Sequence, residues 1–247
     1  MEIPSELEIK VETMQEQNDM FYLVANAFLF FLTMASYIAL DRFLRPYCEG
    51  RYYLLHSMNN LSVVLTTYPA ISYTFNNLYT FYEYPFDWRA SIVTGALHGY
   101  HIIEYHKKFT YYDYLHHGTM CFIALPIGIY INSGSMLDFS LFFICGLPGL
   151  IDYFLLFLVR NNWVNRMTEK KWNNYINLWI RCPGSISIST LIATAIMNVE
   201  PGIFTNIEVF LIYLIIFLNY WNGVYFMKLV VSDYAKQKYI EECKLHI

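Results

Sequence analysis

The stretch YLHHGTMCFIALPIGIYINSG, residues 114–134, places two adjacent histidines, His116 and His117, at the start of a long apolar run. About 20 mostly apolar residues are the length that a helix needs to cross the hydrocarbon core of a bilayer. The two imidazoles would then lie at the membrane edge, where a polar group is costly to keep and usually has a partner or a task. This stretch predicts a transmembrane helix with a polar site at one end.

The composition of the whole chain also favours an integral membrane protein. Of its 247 residues, 56% are hydrophobic and only 15% are charged, and the mean hydropathy is +0.32. Soluble domains have a lower apolar and a higher charged fraction. The net charge of -4 and the absence of a basic stripe argue against a nucleic-acid partner. The five cysteines follow no pairing pattern, so we expect no disulfides.

Seven segments are predicted to span the membrane, which makes the fold class all-α and polytopic. They are residues 21–40, 53–78, 88–105, 114–131, 137–159, 172–197 and 204–230. Lysine and arginine concentrate in alternate loops and after the last segment. The positive-inside rule therefore predicts a lumenal or extracellular N-terminus and a cytosolic C-terminus.

Polar side chains inside these segments are the candidate site residues, because lipid penalises them. His98, His101 and Glu104 recur every three residues and should share one side of their helix. Asp113 precedes His117 by one turn, so its carboxylate would accept a hydrogen bond from an imidazole and set its tautomer. The other candidates are Asp152, Arg181, Asn219 and Asn222. Asp152 and Arg181 would equally serve as a structural pair, and the two asparagines as hydrogen-bonding links between helices.

Three kinds of chemistry use such residues. A di-iron site needs around eight imidazoles, whereas this chain has seven histidines, of which His56 and His246 are remote in sequence from the rest. A retinal protein needs a lysine in the middle of the last span. Lys228 lies near the end of that span, which argues against this class of protein. Acyl transfer, with imidazole as general base or acyl carrier, fits best. No metal and no bound cofactor are predicted.

The segment DYLHHGTMCFIALPIGIYINSG resembles the signature of the TLC domain family, the membrane domain of ceramide synthases and of small TLC-domain-containing proteins. GLPGLIDYFLLFLVRNNW, LWIRCPG and FLNYWNGVYFMKLV are similar to later parts of that domain in pattern. The resemblance covers roughly residues 50–235. It implies a barrel-like bundle of six helices around an apolar cavity that admits a lipid chain, with His116 and His117 facing it.

The domain organisation expected from this resemblance has four parts. A short polar N-terminal tail (1–20) precedes a first transmembrane helix with a basic loop (21–49), the TLC-like domain (50–235) and a cytosolic C-terminal tail (236–247). This chain lacks a further His-Asp pair that ceramide synthases carry. Only Asp152 corresponds to the Asp that follows their double histidine. The homeobox-like appendage of many ceramide synthases is also absent.

Two functional hypotheses follow, and both have membrane lipids as partners. In the first, the protein binds a lipid or acyl chain within its bundle and acts in membrane lipid homeostasis, in the endoplasmic reticulum or the plasma membrane. In the second, it is an acyltransferase that uses acyl-CoA, with His116 or His117 as base or carrier, Asp113 orienting, and Asp152 and Glu104 supporting. Lys107 and Lys108 would then hold the charged part of the donor. In either case we expect the histidines and Asp152 to border one elongated, largely apolar cavity.

Overall fold

Long helices make up nearly all of the chain. The computed structural model describes residues 6–78, 80, 83–131, 135–198, 202 and 204–244, with side chains from residue 20 onward. These residues contain seven long helical segments and no strand. The helices are α1 (Glu6–Leu44), α2 (Arg51–Asn76), α3 (Trp88–Tyr105), α4 (Tyr111–Ile131), α5 (Met136–Arg160), α6 (Arg166–Asn198) and α7 (Asn206–Lys244).

Each predicted span coincides with one of these helices. Five of the described helices, α1 and α4 to α7, are long and apolar enough to cross a membrane. The other two, α2 and α3, carry more polar side chains, many of them buried inside the bundle. The all-helical class is therefore confirmed, the five long apolar helices are consistent with a multi-pass membrane protein, and the count of seven spans stays a prediction. The first helix begins at Glu6, so most of the expected polar tail is helical backbone, while residues 1–5 lie outside the described part.

Several helices begin where a side chain caps the first turn. Asp87 accepts a hydrogen bond from the Arg89 backbone N–H at 2.9 Å at the start of α3. At the start of α6, the Asn165 side chain accepts a hydrogen bond from the Met167 backbone N–H at 2.7 Å. Such caps satisfy N–H groups that the helix itself leaves unpaired, and each stabilises a helix by about 1 kcal/mol. The sequence thus sets most helix starts locally.

Helices α2 to α7 form a closed ring. Neighbouring contacts run in the order α2, α3, α4, α7, α6, α5 and back to α2. The first helix lies outside the ring against α3, where Gly95 and Gly99 receive the side chains of Phe30 and Met34. Small residues four apart allow this close approach between membrane helices.

Three ring helices contain a turn of π-helix, and each of these turns comes just before a proline. The turns are Met120–Ala124 in α4, Phe142–Gly146 in α5 and Asn177–Arg181 in α6. The prolines follow two residues later, at positions 126, 148 and 183. A proline ring clashes with the carbonyl four residues back, and widening the turn relieves that clash. The residue before each proline instead donates its N–H to the carbonyl five residues back.

Candidate functional site

The candidate site is a cavity of about 980 Å³ within the ring, which we call the histidine chamber. Five of the seven histidines line it, together with two aspartates and an arginine. The histidines are His56, His98, His101, His116 and His117, and the charged residues are Asp113, Asp152 and Arg181. Of the other two histidines, His106 is exposed and His246 lies outside the described residues.

The imidazole rings are packed against one another. The His56 and His101 rings stack with centroids 4.0 Å apart, and His98 lies 5.3 Å from His116 and 5.1 Å from His117. His98 Nδ1 contacts the Thr94 carbonyl oxygen at 2.8 Å. Because a carbonyl only accepts, Nδ1 must carry the proton, and Nε2 of a neutral ring then presents its lone pair.

Many polar atoms of the chamber have no hydrogen-bond partner among the described residues. They include His98 Nε2, both ring nitrogens of His101, His117 Nδ1, one Asp152 oxygen and Arg181 Nε. Buried polar groups are almost always paired in proteins, because an unpaired one costs about 1–3 kcal/mol. Such a concentration around one cavity is typical of a site for a polar ligand group.

The structure places Asp113 differently from the sequence-based expectation. Its carboxylate accepts hydrogen bonds at 2.7 Å from both the backbone N–H and the hydroxyl of Thr110, and its own N–H bonds back to that hydroxyl. This reciprocal arrangement is a capping box at the start of α4. Among the described residues it makes no hydrogen bond with an imidazole, so the expected orienting role was wrong for this conformation. Asp113 nevertheless borders the chamber.

Three further predicted residues lie outside the chamber. Glu104 turns away from His98 and His101 and forms an ion pair with Arg42 of α1 at 2.7 Å. The helical period explains this: positions 98, 101 and 104 drift around the helix by about 60° per step, and so by about 120° from the first to the third. Lys107 and Lys108 are exposed in the short turn between α3 and α4.

Arg181 and the two asparagines connect helices α5, α6 and α7. Arg181 donates a hydrogen bond to Asn222 Oδ1 at 3.0 Å, and its guanidinium lies 4.5 Å from the centre of the Phe226 ring. Asn219 donates to Ser140 Oγ at 3.2 Å. Both asparagines thus link helices, which was one of the two open interpretations. Arg181 makes no ion pair with Asp152 among the described residues.

Asp152 instead lies near the buried carboxyl group of Glu169. Lys170 lies 3.7 Å from Glu169 and 2.9 Å from Asp233 near the end of α7. These contacts form a polar connection from the chamber towards the basic end of the bundle.

Several polar residues of this site, His56 among them, were missed from sequence. His56 was set aside because it is distant in the chain, yet the closed ring brings α2 against α3 and stacks it on His101. The polar run HSMNN (56–60) inside an apolar span was the signal that would have found it, since Asn59 and Asn60 also line the chamber. Glu169, which the sequence analysis did not single out, is buried near Asp152.

Two less polar cavities adjoin the chamber. A cavity of about 460 Å³, the junction cavity, shares His116, Ile144 and Phe226 with the chamber. It also shares Met120, Ala124, Ile144 and Asn219 with a third space of about 590 Å³, the apolar cavity. Ile144 lines all three. The expectation of one largely apolar cavity was wrong in this respect, because the histidines border a polar chamber and the apolar space adjoins it.

Within the described ranges, no group of three or more His, Cys, Asp and Glu side chains has an arrangement that could hold a metal ion.

No protein-family model, curated protein or solved structure matches this chain.

Proposed function

We propose that this membrane protein binds a lipid with its polar group in the histidine chamber and its acyl chain in the apolar cavity. The observation that carries the proposal is the adjacency of the two spaces, each of which shares lining residues with the junction cavity between them. A ligand with one polar and one apolar end matches such a site, because the unpaired imidazoles and the aliphatic lining have opposite solvation needs.

The resemblance of residues 50–235 to the TLC domain family points to the same function. The ring of six helices with an internal cavity is the arrangement that this resemblance implies. On this basis the protein acts in membrane lipid homeostasis, in the endoplasmic reticulum or the plasma membrane. The N-terminus then faces the lumen or the outside, and the chamber lies in the cytosolic half of the bundle.

The second candidate function is acyl transfer from acyl-CoA, and the position of His116 favours it. His116 lines both the chamber and the junction cavity, where the polar group of a bound acyl donor meets its chain. The nitrogen or oxygen of an acceptor would attack the thioester carbonyl carbon while imidazole takes its proton. The carbon–sulfur bond then breaks, and the thiolate leaves and recovers that proton. Alternatively, an imidazole nitrogen attacks the thioester carbonyl first, the carbon–sulfur bond breaks, and the thiolate leaves with the ring proton. The acceptor then takes the acyl group from the imidazole, and its proton returns to the ring.

The turn that carries Lys107 and Lys108 suits a donor with phosphate groups. Both ammonium groups are exposed just before α4, whose residues Tyr112 and Asp113 border the chamber. Lysine binds phosphate as a compact positive charge. The charged part of acyl-CoA would stay in this turn while its acyl chain enters the bundle.

Native mass spectrometry and lipidomics of the purified protein test both functions. The wild-type protein should retain an acyl lipid, and the double variant His116→Ala/His117→Ala should lose it while remaining monodisperse. The control is His106→Ala, since His106 is exposed and its Nδ1 bonds the Ile102 carbonyl away from the chamber. A covalent mass adduct that hydroxylamine removes would support the acyl-carrier route. Equal lipid retention by the double variant and the wild type would contradict a role for the chamber.

A further inference from the structure

Cys145 places a thiol inside the histidine chamber. Among the five cysteines, all within the described residues, it alone lines one of the three cavities. It is only partly buried, and its Sγ donates a hydrogen bond to the Leu141 carbonyl oxygen at 3.1 Å. This bond uses the thiol hydrogen and leaves the sulfur lone pairs unused. A molecule held in the chamber can therefore meet a sulfur nucleophile.

The thiol lies close to the boundary between the polar and the apolar space. Ile144, the preceding residue, lines the chamber, the junction cavity and the apolar cavity. His116 and Phe226 likewise line both the chamber and the junction cavity. An acyl lipid with its chain in the apolar cavity and its polar group in the chamber has its carbonyl carbon at this boundary. Cys145 is thus placed beside the carbon at which an acyl group is transferred.

An imidazole with an unused lone pair lies against the same turn of α3 as the thiol. The Thr94 side chain lies close to Cys145, and His98 Nδ1 donates to the carbonyl oxygen of Thr94 at 2.8 Å. The His98 side chain lines the chamber and is 6% exposed, and its Nε2 has no hydrogen-bond partner among the described residues. A thiol in a poorly solvated place is neutral and needs a base at the moment of attack. His98 is the ring that this geometry offers as the base.

Arg181 brings a positive charge to the same place. Its side chain lines the chamber and lies close enough to Cys145 for the two groups to interact electrostatically. A cysteine becomes a better nucleophile beside a cationic group, because that charge stabilises the thiolate. A guanidinium near the carbonyl group also stabilises the negative oxygen that forms during attack.

We propose that Cys145 accepts an acyl group from a thioester donor of the acyl-CoA type and holds it as a thioester. The proposal rests on the acyl-lipid site proposed above. It assigns to a thiol the carrier role that the sequence analysis gave to His116 or His117.

The transfer is a thioester exchange. Cys145 Sγ attacks the carbonyl carbon of the donor while His98 Nε2 takes the thiol proton. The carbon–sulfur bond of the donor breaks, and the leaving thiolate takes that proton from the ring. An amine or hydroxyl acceptor then attacks the new thioester, its carbon–sulfur bond breaks, and Sγ regains a proton. One thioester replaces another in the first step, so no oxidant or reductant is required.

Incubation of the purified protein with oleoyl-CoA, followed by intact-mass measurement and peptide mapping, tests the proposal. The wild-type protein should gain one oleoyl group that neutral hydroxylamine removes, and the adduct should map to Cys145. Cys145→Ala should lose this adduct. Cys121→Ala is the matched control and should keep it, because Cys121 is also partly buried in a π turn but lines none of the three cavities.

Two further variants define the chemistry. Cys145→Ser replaces the thiol with a hydroxyl, which is a weaker nucleophile, so it should also lose the adduct that hydroxylamine removes. His98→Ala keeps the thiol but removes the base, so the adduct should form more slowly than in the wild type. An adduct that persists in Cys145→Ala, or that maps to a histidine or only to the exposed Cys243, would overturn the proposal. The mapping on the wild-type protein decides this even if a variant does not fold.

Lipidomics of the same wild-type sample separates this proposal from the one on which it rests. A retained non-covalent lipid without an adduct at Cys145 would overturn the thioester and leave the lipid-binding function in place. An adduct at Cys145 without any retained lipid would support the thioester and contradict stable lipid binding. A sample with neither would contradict both.

Discussion

At the residue scale, Ile144 lies where the polar and apolar spaces meet, because it lines all three cavities. We predict that Ile144→Trp fills the junction cavity and strongly reduces retention of an acyl lipid. The measurement is the lipid content of the purified variant. Ile123→Trp provides a control, because Ile123 is an exposed residue of α4 on the lipid-facing side. Full lipid retention by Ile144→Trp would contradict the proposal that a bound lipid extends from the chamber through the junction cavity.

The capping box at the start of α4 permits a separate test of Asp113. Both Asp113→Ala and Thr110→Ala remove the box, so each should lower the free energy of unfolding by about 1 kcal/mol. Denaturation in increasing sodium dodecyl sulfate would measure this. If Asp113 only caps, lipid retention or acyl transfer should change equally in the two variants. A functional loss confined to Asp113→Ala would revive the imidazole-orienting role.

Two glycines differ sharply in the space around them. A methyl group on Gly184 would overlap the Phe143 side chain, whereas one on Gly118 would meet no atom within 4 Å. We predict that Gly184→Ala destabilises the protein by about 1–3 kcal/mol through overpacking between α5 and α6. Gly118→Ala should be neutral or stabilising by up to about 1 kcal/mol, since alanine favours helix. The same detergent titration compares them, and equal stabilities would contradict the close packing at Gly184.

At the element scale, the three π turns determine which side chains reach the interior. Each adds one residue to its turn and rotates the following side chains by about 100° relative to a regular helix. Residues of all three π turns line the cavities, among them Met120, Ile144 and Arg181. π turns are frequent at functional sites, and here the prolines explain their position.

We predict that Pro148→Ala lets α5 relax towards a regular helix and turns Asp152, one turn later, away from the chamber. Lipid retention should fall while the protein still folds, because alanine favours helix more than proline does. Pro69→Ala is the control, since α2 carries Pro69 without a π turn. Hydrogen exchange of α5 would report the change of its backbone. Unchanged exchange and unchanged lipid content would show that packing, not Pro148, maintains the π turn.

At the scale of the whole molecule, the arrangement of basic loops makes a topology prediction. If α2 crosses the membrane, residue 48 before it and residue 77 after it face opposite sides. Two variants test this, each with one cysteine and no other: one keeps native Cys48, and the other carries Asn77→Cys. The two cysteines should react with an impermeant maleimide from opposite sides of the membrane. Tags should place Ile247 in the cytosol and Met1 on the other side. Labelling of positions 48 and 77 from one side would contradict the seven-span count.

The sequence determined the elements of this protein. Runs of apolar residues determined where the long helices lie, and capping residues such as Asp87 and Asn165 determined where several of them begin. The adjacent pair His116 and His117 indicated the site. These features depend on neighbours within a few residues, so periodicity, hydropathy and cap chemistry are sufficient to read them.

Only the tertiary structure decided how the polar residues divide between the chamber and the surface. It brought His56 into the site and Glu169 close to Asp152, directed Glu104 to Arg42, and used Asp113 as a cap. The physical reason is that the direction of a side chain depends on two things. One is the rotation that each π turn adds to its helix, and the other is which helices become neighbours in the ring. A sequence pattern with a single helical period contains neither the added rotation nor the neighbours of a helix, whereas the close packing of the ring determines both.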